Sequence, residues 1–486
     1  MAVALGMLHA TVVLTEGGGL MVCGVRNYGQ LGLGPPAGPG APALATMALL
    51  GGVDTPVTGL EGGGPGADAH PFRSEPLVMV AAASGHAAAV TDRGRVWVWG
   101  LNHEMQLGPV PVLADEPGYK TTPSPWDRSV CGGSPVVMVA CGMSFTLALT
   151  RAGHVWSCGR ASHGQTGQAV PVAPRVLSQV PGVRDMAMVV AAGHYSLAVA
   201  RDGRLWSWGL CIQCPCENDE HGGGQWRQTQ HIPRVLGWAV FGGSPVLFAV
   251  ANANHAAAVT AAGELWTWGQ AACGCLGLGA LAALPDVVRV PRRVGAPAGP
   301  PFAGAAVLMA ACGDRHTVVL TDSGAVWTCG LGSAGALGHG GLQMHVVPTR
   351  IPQDRFGDSR IVCVAAGWEG SMAVTAAGVL YSWGSGAFGQ GDPAAEAPVL
   401  QPTAVAATLA PGARVARTCA VSRAHLLAFS MGLHPRLGSD GGCALACASA
   451  DTLFRIGEAA QGLSGAYTHM GEGLLRLLAV RLRAEG

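Results

Sequence analysis

One seven-residue frame governs this chain, because it recurs seven times without a single gap. Glycine opens it, an apolar residue follows two later and a large residue three later. Tryptophan or cysteine stands at the fifth step and glycine closes at the sixth. The copies are GGLMVCG (18–24), GRVWVWG (94–100), GHVWSCG (153–159), GRLWSWG (203–209), GELWTWG (263–269), GAVWTCG (324–330) and GVLYSWG (378–384). Self-similarity at this period is the mark of a repeat architecture, and it outranks every other reading of the chain.

The likeness extends on both sides of the frame. Eight residues before the first glycine stand His86, Phe145, Tyr195, His255 and His316, with Ala10 and Gly370 in the remaining copies. Small or aliphatic runs precede that position, as in VMVAAASG (78–85) and VLMAACG (307–313). Eight residues past the closing glycine a GQLG-like turn ends at Gly32, Gly108, Gly167, Gly277 and Gly338. Each unit therefore offers three short strands and a variable segment that can supply a fourth. Short apolar runs punctuated by glycine and proline are a strand signal. A single small antiparallel sheet cannot cover both of its faces, so the units must stack. Stacking around an axis leaves only short edges, which is the propeller solution. The large residues at the third step (Met21, Trp97, Trp156, Trp206, Trp266, Trp327 and Tyr381) are expected to fill the spaces between blades.

These features together resemble the repeats of the regulator of chromosome condensation (RCC1-like) family. The resemblance rests on seven units and covers about 1–430. It implies an all-β, seven-bladed β-propeller whose blades run about fifty to seventy residues. The closing glycines here are spaced by 76, 59, 50, 60, 61 and 54 residues. A further half repeat at 413–430 places His425 at the recurring histidine position but lacks the tryptophan strand. Family precedent implies that a terminal segment locks the ring, with an incomplete eighth blade as the alternative. The expected domains are a propeller over 1–432 and an extension over 433–486, loop first. Leu474, Leu475, Leu478 and Leu482 then fall on one face of an amphipathic helix.

Composition narrows the function. There are 29 basic and 29 acidic residues, and charged residues make up only 12% of the chain. No basic tail or stripe is visible, so a general affinity for nucleic acid has no evident source. No run approaches the roughly 18 apolar residues of a membrane span. The N-terminus has no basic region before its apolar stretch, so no signal peptide is expected and the protein reads as intracellular, cytoplasmic or nuclear. Fifteen scattered cysteines fit reduced thiols.

Three groups of residues invite chemistry. The histidines at the shared position (His86, His255, His316, His425) belong to separate units and alternate with Phe and Tyr, which points to packing and hydrogen bonding. Cys23, Cys158 and Cys329 replace tryptophan in the frame and read as small buried apolar residues. The segment CIQCPCENDEHGGG is different, since Cys211, Cys214, Cys216 and His221 supply enough soft ligands for a tetrahedral zinc ion. Its spacing is not a standard one, and a cysteine-rich loop without metal is the plainer reading. Photoreceptor members of the family carry tryptophan–arginine clusters on repeated G-W-R-H-T motifs; here only Gly367-Trp368-Glu369 is comparable, without the arginine. No nucleophile elbow, phosphate loop or metalloprotease helix is present in the sequence, so no enzyme is expected. The reading is a protein-binding scaffold whose segments at 35–73, 109–133 and 210–232 select the partner. The alternatives are guanine-nucleotide exchange on a small GTPase and, on GC-rich composition alone, a structural component of a large DNA virus.

Overall fold

A computed structural model describes residues 3–405 except 6–9, 15–19, 25–27, 35–43, 50–71, 73–74, 111–117, 128, 169–176, 211–228, 282–283, 296–300 and 386–397. The half repeat at 413–430 and the extension at 433–486 lie outside the described residues.

The fold is an all-β propeller. The described strands form seven four-stranded sheets, each antiparallel and each ordered by sequence from its first strand to its fourth. We number the sheets one to seven over 3–49, 77–125, 136–179, 186–236, 246–293, 307–350 and 361–404. In every sheet the glycine-framed heptad ends in the third strand, as in Leu265–Gln270 of sheet five. The histidine position opens the second strand, as in His255–Thr260. The second strands of sheets two to seven are buried at every residue. They carry small side chains because they are enclosed on both faces.

Closing glycines have a steric cause. Gly269 has φ +114°, and a Cβ there would lie 2.6 Å from the carbonyl oxygen of Asn254, just before the neighbouring strand. Only glycine fits both the dihedral and the approach.

The third-step residues lie between sheets as expected, but they do not fill that space alone. The fully buried tryptophans are those at the fifth step: Trp99, Trp208, Trp268 and Trp383 are each 0% exposed. Trp97, Trp156, Trp206, Trp266 and Trp327 are only partly buried, while Met21 is buried. Third and fifth steps share a parity and so project from one face of the strand. That face looks to the preceding sheet, as Trp99 shows by packing with Val12, Leu20 and Leu31 of sheet one. The glycine-rich turn of the preceding sheet covers the fifth step, and the third step lies beyond its reach. A phenylalanine from the linker entering the same sheet meets the third step edge-on instead, with centroids 5.3 Å apart for Phe72–Trp97, 5.7 Å for Phe241–Trp266, 5.6 Å for Phe302–Trp327 and 5.5 Å for Phe356–Tyr381.

Sheet one obeys the same rule toward sheet seven. Met21 and Cys23 hold the two aromatic steps and pack in one cluster with Met372, Val374 and Leu380. Sheet one takes its first strand from Val3–Leu5, which pairs with the second strand Ala10–Leu14.

Five of the seven fourth strands carry a device the frame does not reveal. Pro123, Pro233, Pro291, Pro348 and Pro402 each sit within a register shift opposite the fifth step. Proline cannot donate to another strand, so these outer edges resist further pairing.

Candidate interaction face

Antiparallel order gives the molecule two unlike ends. One end carries the turns between second and third strands and the linkers between sheets. The other end, the rim face, carries the turns between first and second strands and the connections from third to fourth strands. Residues 35–43, 111–117 and 211–228 all belong to the latter connections, so the chain enters and leaves them at the rim face. In the remainder of the expected partner-selecting segments, Tyr119–Pro125 and Thr229–Leu236 are outer strands and Val130–Gly133 is a 3-10 turn, while 50–71 lies outside the described residues.

A polar circuit stiffens three of the seams beneath this face. His86 Nε2 lies 2.9 Å from Thr146 Oγ1 of the next sheet, and that hydroxyl donates to the Gln106 carbonyl at 2.7 Å. Because the threonine hydrogen is committed to the carbonyl, the imidazole must be the donor, which fixes the Nε2–H tautomer. His255, Thr317 and the Cys275 carbonyl repeat the circuit at 2.7 and 2.7 Å, and His316, Ser371 and the Ala336 carbonyl at 2.9 and 2.9 Å. Burial pushes His86 and His316 down to about 4 and His255 down to about 3. All three are neutral donors at physiological pH. Tyr195 fills the equivalent place by donating to the Asn252 carbonyl at 3.0 Å, and Phe145 fills it by packing alone.

The same turn carbonyls receive the fifth-step side chain. Trp99 donates to Gln30 at 2.9 Å, Trp208 to Gln165 at 2.8 Å and Trp383 to Ala336 at 2.8 Å. Cys158 and Cys329 aim their thiols at the Gln106 and Cys275 carbonyls, both at 3.5 Å. These cysteines are therefore more than small apolar fillers, though burial leaves them protonated and unreactive. Cys158 and Cys329 are pushed far above the ordinary thiol range, Cys329 to about 12.

Above this layer the rim turns are tied to one another. The Asn254 amide donates to Asp314 Oδ1 at 2.7 Å, and the Asp314 N–H donates to the Gly367 and Trp368 carbonyls at 3.1 and 3.0 Å. Asp314 thereby joins sheets five, six and seven. Burial raises its carboxyl, and Arg315 Nε, 3.4 Å away, opposes that rise. Arg315 is 60% exposed, and Met143 and Trp368 stand exposed on the same turns. His194 stacks on His163 with centroids 4.6 Å apart; burial, the neighbouring imidazole and Arg160 keep it below its ordinary value. An exposed tryptophan, arginine and methionine on rigid turns are side chains that anchor protein interfaces.

The zinc candidates Cys211, Cys214, Cys216 and His221, together with His425, lie outside the described residues. Among the described residues no group of three or more His, Cys, Asp and Glu side chains is arranged to hold a metal ion. No helix among them is long and apolar enough to cross a membrane.

Heptad, histidine and turn now sit on one frame, and known proteins share it. The RCC1-like domain family model matches residues 59–428. The chain belongs to the RCC1-like family of β-propeller proteins. It is 31% identical over 320 residues to the ultraviolet-B receptor UVR8 of Arabidopsis thaliana, covering 65% of this chain and 66% of the receptor. It thus spans just under two thirds of that relative's length. It is 29% identical over 475 residues to the secretion-regulating guanine nucleotide exchange factor of Bos taurus, covering 93% of this chain and 87% of that one. The crystal structure of human WBSCR16 superposes with a TM-score of 0.63 at 24% identity, covering 81% of this chain and 95% of that one. That likeness is one of fold.

Proposed function

We propose that the protein is a binding scaffold whose seven sheets close into one ring and hold the rim face toward a macromolecular partner. The observation that carries this is the coupling of the rim turns through Asn254, Asp314 and the carbonyls of Gly367 and Trp368, above seams locked by buried hydrogen bonds. Such a frame loses little entropy on binding, and loops carried on a rigid frame are where binding residues concentrate. Trp368, Arg315 and Met143 are the anchors on this reading. Affinity purification with the wild-type chain and with a Trp368→Ala/Arg315→Glu variant, read by mass spectrometry, tests it. Partners recovered with the wild type and lost with the variant support the rim face. Identical recovery removes it. Shortening 35–43, 111–117 or 211–228 then tests each connection for selectivity.

One observation favours a second reading. The bovine exchange factor matches nearly the whole of both chains, which makes guanine-nucleotide exchange on a small GTPase the activity to test first. Exchange needs no nucleophile, only a surface that favours the nucleotide-free GTPase. Release of a fluorescent guanine nucleotide from a panel of small GTPases decides it. Acceleration that the rim variant abolishes establishes exchange, and no acceleration across the panel leaves the scaffold reading alone.

A further inference from the structure

Away from the rim face, the outer edge of the molecule where sheet four meets sheet five has an unusual surface. Of the ten large apolar residues exposed among the described residues, four lie here: Ile232 at 63%, Val235 at 43%, Trp238 at 44% and Val290 at 50%. Ile232 and Val235 belong to the outer strand Thr229–Leu236 of sheet four, and Trp238 begins the 3-10 turn that follows it. That turn packs against the outer strand Val287–Arg293 of sheet five, which carries Val290.

Arginines flank the apolar strip on both strands. Arg234, Arg289, Arg292 and Arg293 are exposed, and Glu264 lies 3.0 Å from Arg293. A patch that is both cationic and apolar suits an occupant carrying acidic and apolar side chains together. A nucleic acid backbone would answer the arginines and leave Trp238 and Ile232 wet. Two strands of eight and seven residues span roughly 25 Å, the length of an extended peptide segment. Pro233 and Pro291 remove amide donors from both edges, so recognition falls to side chains and not to strand addition.

We propose that this sheet four–sheet five edge is a second docking surface, independent of the rim face, for an extended acidic segment with interspersed apolar residues on a partner protein. The arginines pair with its carboxylates, and Trp238, Val235 and Val290 receive its apolar side chains.

The test uses the full chain and a fluorescein-labelled twelve-residue peptide alternating glutamate with leucine, read by anisotropy at low salt. The expected result is saturable binding that weakens at least tenfold in Arg234→Glu/Arg292→Glu and again in Trp238→Ala. Arg315→Glu at the rim leaves it unchanged. A control peptide alternating glutamate with glycine binds more weakly. Thermal unfolding of each variant is compared with wild type, and the exposed arginine pair keeps the test valid should Trp238→Ala fail to fold. No binding, binding indifferent to the arginine pair, or tighter binding of single-stranded RNA or phosphatidylserine vesicles than of the peptide overturns the proposal.

Discussion

Two seams of this propeller solve one packing problem in opposite ways. Between sheets three and four the turn glycine, Gly167, faces Val180 of sheet three and the indole of Trp208. Between sheets two and three the equivalent Gly108 faces the indole of Trp126 and the sulfur of Cys158. Val180 and Trp126 hold the same place, immediately after the fourth strand, where each donates its N–H to the third strand of its own sheet. Bulk has moved across the seam: a large residue on one side requires a small one on the other. Trp126 is 2% exposed and its indole donates to the Leu107 carbonyl at 2.7 Å, so the space that cysteine leaves is filled and its polar group satisfied. The seam between sheets six and seven repeats the first solution with Ile351 and Trp383. Each unit is thus specified jointly with its neighbour, and a repeat position cannot be judged from its own sheet alone.

The comparison can be broken most severely at the buried indoles. Trp208→Ala or Trp383→Ala should cost about 3–5 kcal/mol, measured as a shift in denaturant midpoint, because each removes a large side chain from a filled seam. Trp97→Ala, at a half-buried third step, should cost less than half of that. Equal losses at both steps would mean that the preceding turn does not set the difference.

Swapping one seam into the other is the sharper trial. Cys158→Trp alone should destabilise by about 1–3 kcal/mol through overpacking against Trp126. Adding Trp126→Val should recover most of it, and the double-mutant cycle should show that coupling. Additive losses would mean that the two residues do not share space.

Acidity should weaken the seams that use histidine. The folded pKa values of His86, His255 and His316 lie near 4, 3 and 4, below the 6.5 of an exposed histidine. The unfolded chain therefore binds protons first, and the stability present above pH 6.5 declines as pH falls toward 4. By pH 5 each histidine should have lost about 2 kcal/mol of its contribution. Urea midpoints at pH 7.5 and 5 measure this. His86→Phe, which copies the residue found at Phe145, should flatten the dependence; an unchanged slope would show that His86 is not the group titrating.

The smallest effect concerns the thiol donors. Cys158→Ala and Cys329→Ala should each cost about 1 kcal/mol, the scale of one hydrogen bond together with a small buried side chain. Labelling in the folded state should spare both thiols, since they are buried and protonated.

The glycine frame made the strands, their order and the propeller readable from the residues alone, because every copy keeps the same register. It also placed His86, His255 and His316 correctly as packing and hydrogen-bonding groups. What escaped lies where register is lost. Phe72, Phe241, Phe302 and Phe356 sit in linkers, and Pro233, Pro291 and Trp126 follow connections of unequal length, so no fixed spacing from the frame marks them. The third-step residues do lie between sheets, but that most of them are only half-buried was not legible, because periodicity gives a face but not what covers it. The exposed rim residues Trp368 and Arg315 were within reach, since they stand in the turn just before a second strand, where Gly367-Trp368-Glu369 departs from the repeated motif.

Hydrogen–deuterium exchange resolved by mass spectrometry tests the closed ring most directly. If Met21 and Cys23 seal sheet one against sheet seven as the indoles seal the other seams, second strands 10–14 and 370–375 will be protected as strongly as 195–200. Exchange of the first and last sheets well ahead of the central ones would show an open row of sheets, and the scaffold reading would fall with it.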